Sequence, residues 1–192
     1  MIVKPLYSLF KYNILVFFVG NKANVFNKLK SFFPKTVMQE KSLAVFVDGP
    51  NLLRKEFGID LEMIKKEALK FGSIKIGRVY LNQFASNKLV EAVVNQGFEP
   101  IITTTDVDVA MACDATETVF NKTVDVMVFA TRDSDFLPAL IKAKNRGKET
   151  VAIMAEEMSA AALKNTADKI VFLKPKKFEV VEDKKEKSED RK

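Results

Sequence analysis

The sequence predicts an α/β fold, with a mostly parallel central sheet and helices on both of its faces. From residue 43 onward, short apolar runs alternate with stretches that have the periodicity of helices. Gly72, Gly97 and Gly147 follow three of the predicted helices, at positions where glycine commonly ends a helix. Because a helix separates each strand from the next, the connections must cross over and the strands run parallel.

Local signals bound the predicted elements. The first strand is an uninterrupted apolar run that ends in Asp-Gly-Pro, which is typical of a buried strand entering a loop. Asp60 and Ser86 are suited to cap the first two helices. Strands are predicted at residues 43–47, 74–81, 98–102, 124–130, 150–154 and 170–173. Helices are predicted at residues 60–70, 86–95, 107–120 and 160–165, and a further helix follows the fourth strand and ends at about residue 145.

This pattern occupies only part of the 192 residues, so we expect three regions. Residues 1–40 form a basic, Phe-rich N-terminal extension, and residues 41–173 form the α/β domain. Residues 174–192 form a charged tail with almost no apolar period, which is expected to be disordered.

The extension has several interpretations. Its apolar run at residues 14–19 is far shorter than the roughly 20 residues that span a bilayer, so no stable membrane insertion is expected. A secretory signal, a helix at residues 24–33 that binds a membrane surface or a partner, and a true start of the chain at Met38 are the alternatives.

Composition excludes several kinds of chemistry. The chain contains no histidine and a single cysteine, Cys113. There is therefore no Ser-His or Cys-His dyad, no imidazole metal ligand, no intrachain disulfide and no multi-cysteine zinc site. The lone cysteine favours a reducing compartment, and we expect a cytoplasmic protein. Catalysis would have to rest on carboxylates, lysines, hydroxyls or the backbone.

The net charge of +6 is unevenly distributed. Residues 1–41 contain 7 Lys and Arg against 1 acid, and residues 174–192 contain 8 against 6. The central residues 42–173 contain 16 against 18, so the basic character lies at the ends. Basic ends that flank an acidic centre suit a polyanionic substrate, although solubilising lysines explain the same pattern.

Aspartates gather where the predicted strands end. Asp48 ends the first strand, Asp106 and Asp108 follow the third, and Asp133 and Asp135 follow the fourth. In a parallel sheet, ligands bind beyond the carboxyl ends of the strands. We therefore expect these acids to lie at one edge of the sheet.

Acids placed so close together need a cation, since like charges otherwise force proton uptake. Mg²⁺ or Mn²⁺ prefers oxygen ligands and can supply a water that attacks a phosphate, without any histidine. Asp114 is a further candidate ligand, because it falls on an otherwise apolar side of its helix, where an unpaired carboxylate is costly.

Each acid also has a simpler interpretation. Asp48 could belong to a turn, because all four residues at 48–51 favour turns. Asp133 could be only a helix N-cap, and Asp108 and Asp135 could occupy first helical turns because the helix dipole favours acids there.

Three segments carry the candidate site residues. They are residues 45–51 (Val-Phe-Val-Asp-Gly-Pro-Asn), 107–114 (Val-Asp-Val-Ala-Met-Ala-Cys-Asp) and 131–136 (Thr-Arg-Asp-Ser-Asp-Phe). Together, in this order and spacing, they resemble the NYN domain, a branch of the PIN-like nuclease superfamily. The resemblance covers residues 41–173 and implies a three-layer PIN-like fold and divalent-metal-dependent cleavage of RNA.

The resemblance also implies roles for individual residues. Catalytic carboxylates at the metal site would be Asp48, Asp108, Asp133 and Asp135, with Asp114 a further acid. Asn51 would form hydrogen bonds in the same site. RNA would be the partner of the domain, and a homodimer is an open alternative to a monomer.

Two positions depart from the family pattern. Members often have Lys-Gly before the second motif, where this chain has Thr105 and Asp106. They also often have Gly before Asp-Ser-Asp, where Arg132 stands here and could hold the scissile phosphate or crowd the pocket. The rival interpretations are a non-catalytic RNA- or protein-binding module of the same fold and, less favoured, a phosphohydrolase.

Overall fold

A computed structural model describes residues 40–54, 58–155 and 161–174. The predictions for the N-terminal extension and for the charged tail concern residues outside these ranges. Among the described residues, every helix is too short or too polar to cross a bilayer. The homodimer and the cytoplasmic location stay predictions.

The described residues contain one six-stranded sheet. Its strands in chain order are β1 (Ser42–Asp48), β2 (Ser73–Asn82), β3 (Glu99–Thr103), β4 (Val126–Ala130), β5 (Glu149–Ala155) and β6 (Lys169–Leu173). Their spatial order is β3-β2-β1-β4-β5-β6, and all five pairings are parallel. The predicted α/β fold is therefore confirmed, with a sheet that is entirely parallel in this part of the chain.

The helices connect the strands as predicted, with one addition. They are α1 (Gly49–Leu52), α2 (Leu61–Ala68), α3 (Asn87–Asn95), α4 (Val107–Thr118), α5 (Leu137–Asn145) and α6 (Ala161–Thr166), and short 3₁₀ turns occupy Leu69–Phe71 and Ser134–Phe136. Asp60 and Ser86 cap α2 and α3, because their side chains accept the backbone N–H groups of Met63 and Leu89. The one-turn helix α1 lies where the sequence analysis placed a loop.

Strand β1 shows how the two hydrophobic layers form. Leu43, Val45 and Val47 are fully buried in the core on one face, against α2 and α3. Ala44 and Phe46 are buried on the other face, against α4, α5 and α6. Alternate residues of a strand point to opposite faces, so a continuous apolar run is what a strand covered on both faces requires. The sheet is thus the middle layer of three.

The strand order reverses between β1 and β4. Strands β2 and β3 extend the sheet to one side of this point, and β5 and β6 extend it to the other. Parallel α/β sheets bind ligands at such a switch point, beyond the carboxyl ends of the strands. Val47 pairs with Ala130, so Asp48 and Thr131 leave the sheet side by side at this position.

Gly49 allows the chain to turn immediately after Asp48. A Cβ at this position would lie 2.6 Å from the carbonyl oxygen of Tyr80 and 2.6 Å from Cδ2 of Leu81. Only glycine fits so close to the backbone of β2. The absence of a side chain here therefore lets α1 begin at the edge of the sheet.

Candidate functional site

Asp48 is the buried centre of the candidate site. Its carboxylate has no exposed surface and caps α1. Oδ1 accepts the backbone N–H of Asn51 at 3.2 Å, and Oδ2 accepts the Asn51 side-chain amide at 2.7 Å and the Thr131 hydroxyl at 2.9 Å. Burial raises the pKa of Asp48, while the hydrogen bonds from Asn51 and Thr131 limit the increase. Asn51 thus forms hydrogen bonds with the central carboxylate of the candidate site.

Thr131 links the two strand ends. Its hydroxyl oxygen donates to Asp48 and accepts the backbone N–H of Asp133 at 3.0 Å. Asp133 in turn caps the 3₁₀ turn that follows, since its Oδ1 accepts the N–H of Asp135 at 2.9 Å. One buried hydroxyl therefore fixes the loop after β4 against the end of β1.

Asp108 approaches the same place from α4. It is half-buried in the first turn of this helix, which Asp106 caps by accepting the Asp108 N–H at 3.0 Å. Burial, and after it the negative charges of Asp48, Asp133, Asp106 and Asp135, together raise the pKa of Asp108 to about 6. The structure therefore brings acids from three strand ends within electrostatic reach of one another.

Asp114 lies apart from this group. It is six residues beyond Asp108, which is about 9 Å further along the helix axis. Its Oδ2 accepts the hydroxyl of Tyr80 at 2.7 Å and the guanidinium of Arg78 at 3.1 Å. The carboxylate expected on an apolar side of the helix is therefore paired with two side chains of β2, and we do not place it among the metal-site acids.

Comparison with known families identifies the family of this domain. The model of the NYN domain family matches residues 42–174, about two thirds of the chain. The chain belongs to the NYN domain family.

One relative and one solved structure are similar to this NYN domain. An uncharacterized protein of Methanocaldococcus jannaschii is 58% identical over 132 residues, which are 69% of this chain and 55% of that protein. The chain thus spans about half the length of this curated relative. The crystal structure of a protein of unknown function from Vibrio parahaemolyticus matches with a TM-score of 0.62 and 18% identity, over 71% of this chain and 94% of that chain. The second likeness concerns the fold alone.

The donor set of the NYN domain suits a hard cation. Its acids supply only oxygen atoms, the ligands that Mg²⁺ and Mn²⁺ prefer. Among the described residues, no three acidic or cysteine side chains are placed to hold one ion together. Mg²⁺ usually binds through one or two carboxylates, with waters and substrate phosphates as the remaining ligands. This acid group therefore fits a hydrated ion that the substrate helps to hold.

Sequence analysis missed two side chains at this edge of the NYN domain. Thr131 was given no role, although its place directly after β4 and beside Asp48 was a signal for one. Phe84 lies in the loop after β2 and is 81% exposed. An aromatic residue in the short loop that follows a strand end is the signal that could have found it. Arg132, which sequence analysis did single out, is half-buried between Thr131 and Asp133.

Proposed function

We propose that this NYN domain hydrolyses phosphodiester bonds of RNA with the help of Mg²⁺ or Mn²⁺. The observation that carries the proposal is the grouping of acids from three strand ends at the switch point, where burial and the negative charges of the neighbouring aspartates together raise the pKa of Asp108 to about 6. Such a grouping of negative charge stabilises a bound divalent cation. Membership of a family that is PIN-like and nuclease-like agrees with this activity.

The proposed site residues have different roles, which follow from their burial and their hydrogen bonds. Asp48, Asp108, Asp133 and Asp135 are the proposed metal-site carboxylates. A bound ion would polarise the phosphate and lower the pKa of its water, which supplies the nucleophile that a chain without histidine needs. Three hydrogen bonds fix the buried Asp48 carboxylate, so its position at the base of the site is rigid.

The other acids face outward. Asp108 and Asp133 are half-buried and can reach a hydrated ion, whereas Asp135 is exposed at the rim. Asn51 holds Asp48 and the start of α1 in place. Arg132 lies between Thr131 and Asp133 in the sequence, and its proposed role is to neutralise charge that develops on the phosphate during attack.

Two features favour a nucleic acid as the substrate. Phe84 is 81% exposed at the same sheet edge as the acids and offers an aromatic face on which a base can stack. The ends of the chain are basic, which favours association with a polyanion.

The test is cleavage of labelled RNA by the purified full chain with Mn²⁺, with and without a chelator. Asp108→Asn removes one negative charge from the site, and we expect at least a hundredfold loss, typical when a group that stabilises the transition state is removed. Glu91→Gln, an equal charge change at an exposed position of α3, should cleave like the wild type. Equal cleavage by all three proteins would mean that a contaminant is responsible and would reject the proposal.

A binding module without turnover is the second candidate. The observation that favours it is that no three acids of the described residues are placed to share one ion. RNA affinity without metal-dependent cleavage of either single-stranded or paired RNA would support this candidate over the nuclease.

A further inference from the structure

A second cluster of aromatic and basic side chains lies on the α4–α5 face of the domain. Phe120 follows α4 and is 54% exposed. The Arg146 guanidinium carbon lies 4.7 Å from the centre of its ring, and Nζ of Lys142 lies 5.9 Å from it. Both distances suit cation–π contacts, which hold the two cations beside the exposed ring.

Among the described residues, no acid forms an ion pair with the basic side chains of this cluster, Lys122, Lys142 and Arg146. Lys148 bonds to the backbone carbonyls of Asn121 and Val124, both at 2.6 Å, and carbonyls leave its charge in place. Two cations, Lys142 and Arg146, contact one exposed ring. Lys148 bonds to the residue that follows Phe120, and Lys122 lies two positions after Phe120 in the chain.

We infer that Phe120 and these four cations form a second RNA-binding surface, which holds single-stranded RNA outside the acid site. Single strands are bound by aromatic side chains that stack on bases, combined with Lys and Arg that follow the phosphates. The Arg146 guanidinium, whose central carbon lies 4.7 Å from the centre of the Phe120 ring, adds a second group on which a base can stack. A neutral apolar partner would leave four charges to be desolvated without compensation.

The second surface lies close enough to the acid site for one RNA to contact both. Helix α4 runs from the end of β3, where Asp108 lies, toward the start of β4, where Phe120 lies. Its 12 residues separate the two places by about 18 Å. Roughly five stacked nucleotides cover that distance at about 3.4 Å each. The inference rests on the proposed function in that one RNA would reach both places.

The test is RNA affinity, measured by fluorescence anisotropy in a chelator so that no cleavage occurs. The probe is an unstructured RNA of roughly ten nucleotides, long enough to span α4. Phe120→Ala should weaken RNA binding roughly 5-fold to 100-fold, because it removes the ring on which a base stacks. Phe120→Trp keeps an aromatic ring and should bind the RNA as tightly as the wild type. Arg146→Ala should reduce the slope of log K against log salt by about 0.7, the value for one phosphate contact on a single strand.

Lys66→Ala is the matched control for Arg146→Ala, because Lys66 is exposed on α2, on the opposite face of the sheet. It should change neither affinity nor slope by a comparable amount. Arg146→Ala changes an exposed side chain, so it keeps the test valid even if Phe120→Ala fails to fold.

The outcomes separate this inference from the nuclease proposal. Wild-type protein that cleaves RNA, with Phe120→Ala and Arg146→Ala binding as tightly as the wild type, would overturn the second surface and leave the nuclease intact. Binding that depends on Phe120 and Arg146 without any metal-dependent cleavage would support the second surface and reject the nuclease. Wild-type protein that does not bind the RNA at all would overturn the inference.

Discussion

The Thr131 hydroxyl donates a 2.9 Å hydrogen bond to Oδ2 of Asp48, and this bond joins the ends of β1 and β4 at the switch point. Both residues are fully buried. The bond gives Asp48 one of the donors that compensate for its removal from water. It also fixes the loop that carries Asp133, because the same hydroxyl oxygen accepts the Asp133 N–H.

Thr131→Val should therefore destabilise the protein. Valine has the same shape but leaves the Asp133 N–H without its acceptor and Asp48 without one donor, which costs about 1–3 kcal/mol. Urea unfolding should show this loss of free energy of unfolding, while Thr131→Ser, which keeps the hydroxyl, should lose much less. Equal stability of the valine variant and the wild type would show that the link does not hold the site together.

Asp108 should make the metal-free protein less stable as the pH rises. Its pKa is about 6 in the folded chain and 3.8 without the fold, so the folded state binds the extra proton between these values. The free energy of unfolding then falls as the pH rises from 4 to 6, and the loss is complete above pH 6. We expect about 1 kcal/mol, since solvent screens a half-exposed group.

Asp108→Asn tests this pH dependence. The variant should lack this part of the decline and be more stable than the wild type at pH 7 in a chelator, as measured by urea unfolding across this pH range. Glu91→Gln should keep the wild-type profile. An Asp108→Asn variant that declines as steeply as the wild type would contradict the crowding of negative charge around Asp108.

Asp114 should matter for stability and not for metal binding. Asp114→Ala removes the acceptor of the buried Tyr80 hydroxyl and one of the two acids paired with Arg78, which should lower the free energy of unfolding by about 1–3 kcal/mol. Calorimetric titration of the folded variant should give the wild-type Mn²⁺ affinity. A loss of Mn²⁺ affinity at unchanged stability would return Asp114 to the metal site.

Phe84→Ala should weaken the use of RNA without changing the fold. A side chain that is 81% exposed contributes little to stability, so the melting temperature should stay the same. Loss of one stacked base should raise KM roughly 5-fold to 100-fold with little change in kcat. Phe84→Tyr should restore the wild-type KM, and an alanine variant with unchanged KM would show that no base stacks there.

The sequence was sufficient for the order of the elements. The apolar run before Asp48, the caps Asp60 and Ser86 and the glycines after the helices are local signals, and each corresponds to an observed boundary. The convergence of acids also followed from the sequence, because strand ends in a parallel sheet share one edge.

Contacts between distant segments could not be predicted in the same way. Helix α1 begins at Gly49 because the backbone of Tyr80 lies too close for any Cβ, a contact that local sequence does not contain. The partners of Asp114 are Arg78 and Tyr80, which are 36 and 34 residues away on β2. Its carboxylate could be predicted to need a partner, but the identity of that partner depends on how α4 packs against the sheet.

A crystal structure of the protein with Mn²⁺ and its anomalous density tests the central claim most directly. We predict a peak at the edge between β1 and β4, bound by Asp108 or Asp133 directly or through water, with Asp48 beneath it. Asp108→Asn crystals should lose most of that density. A wild-type crystal at saturating Mn²⁺ with no peak near these carboxylates would contradict the account.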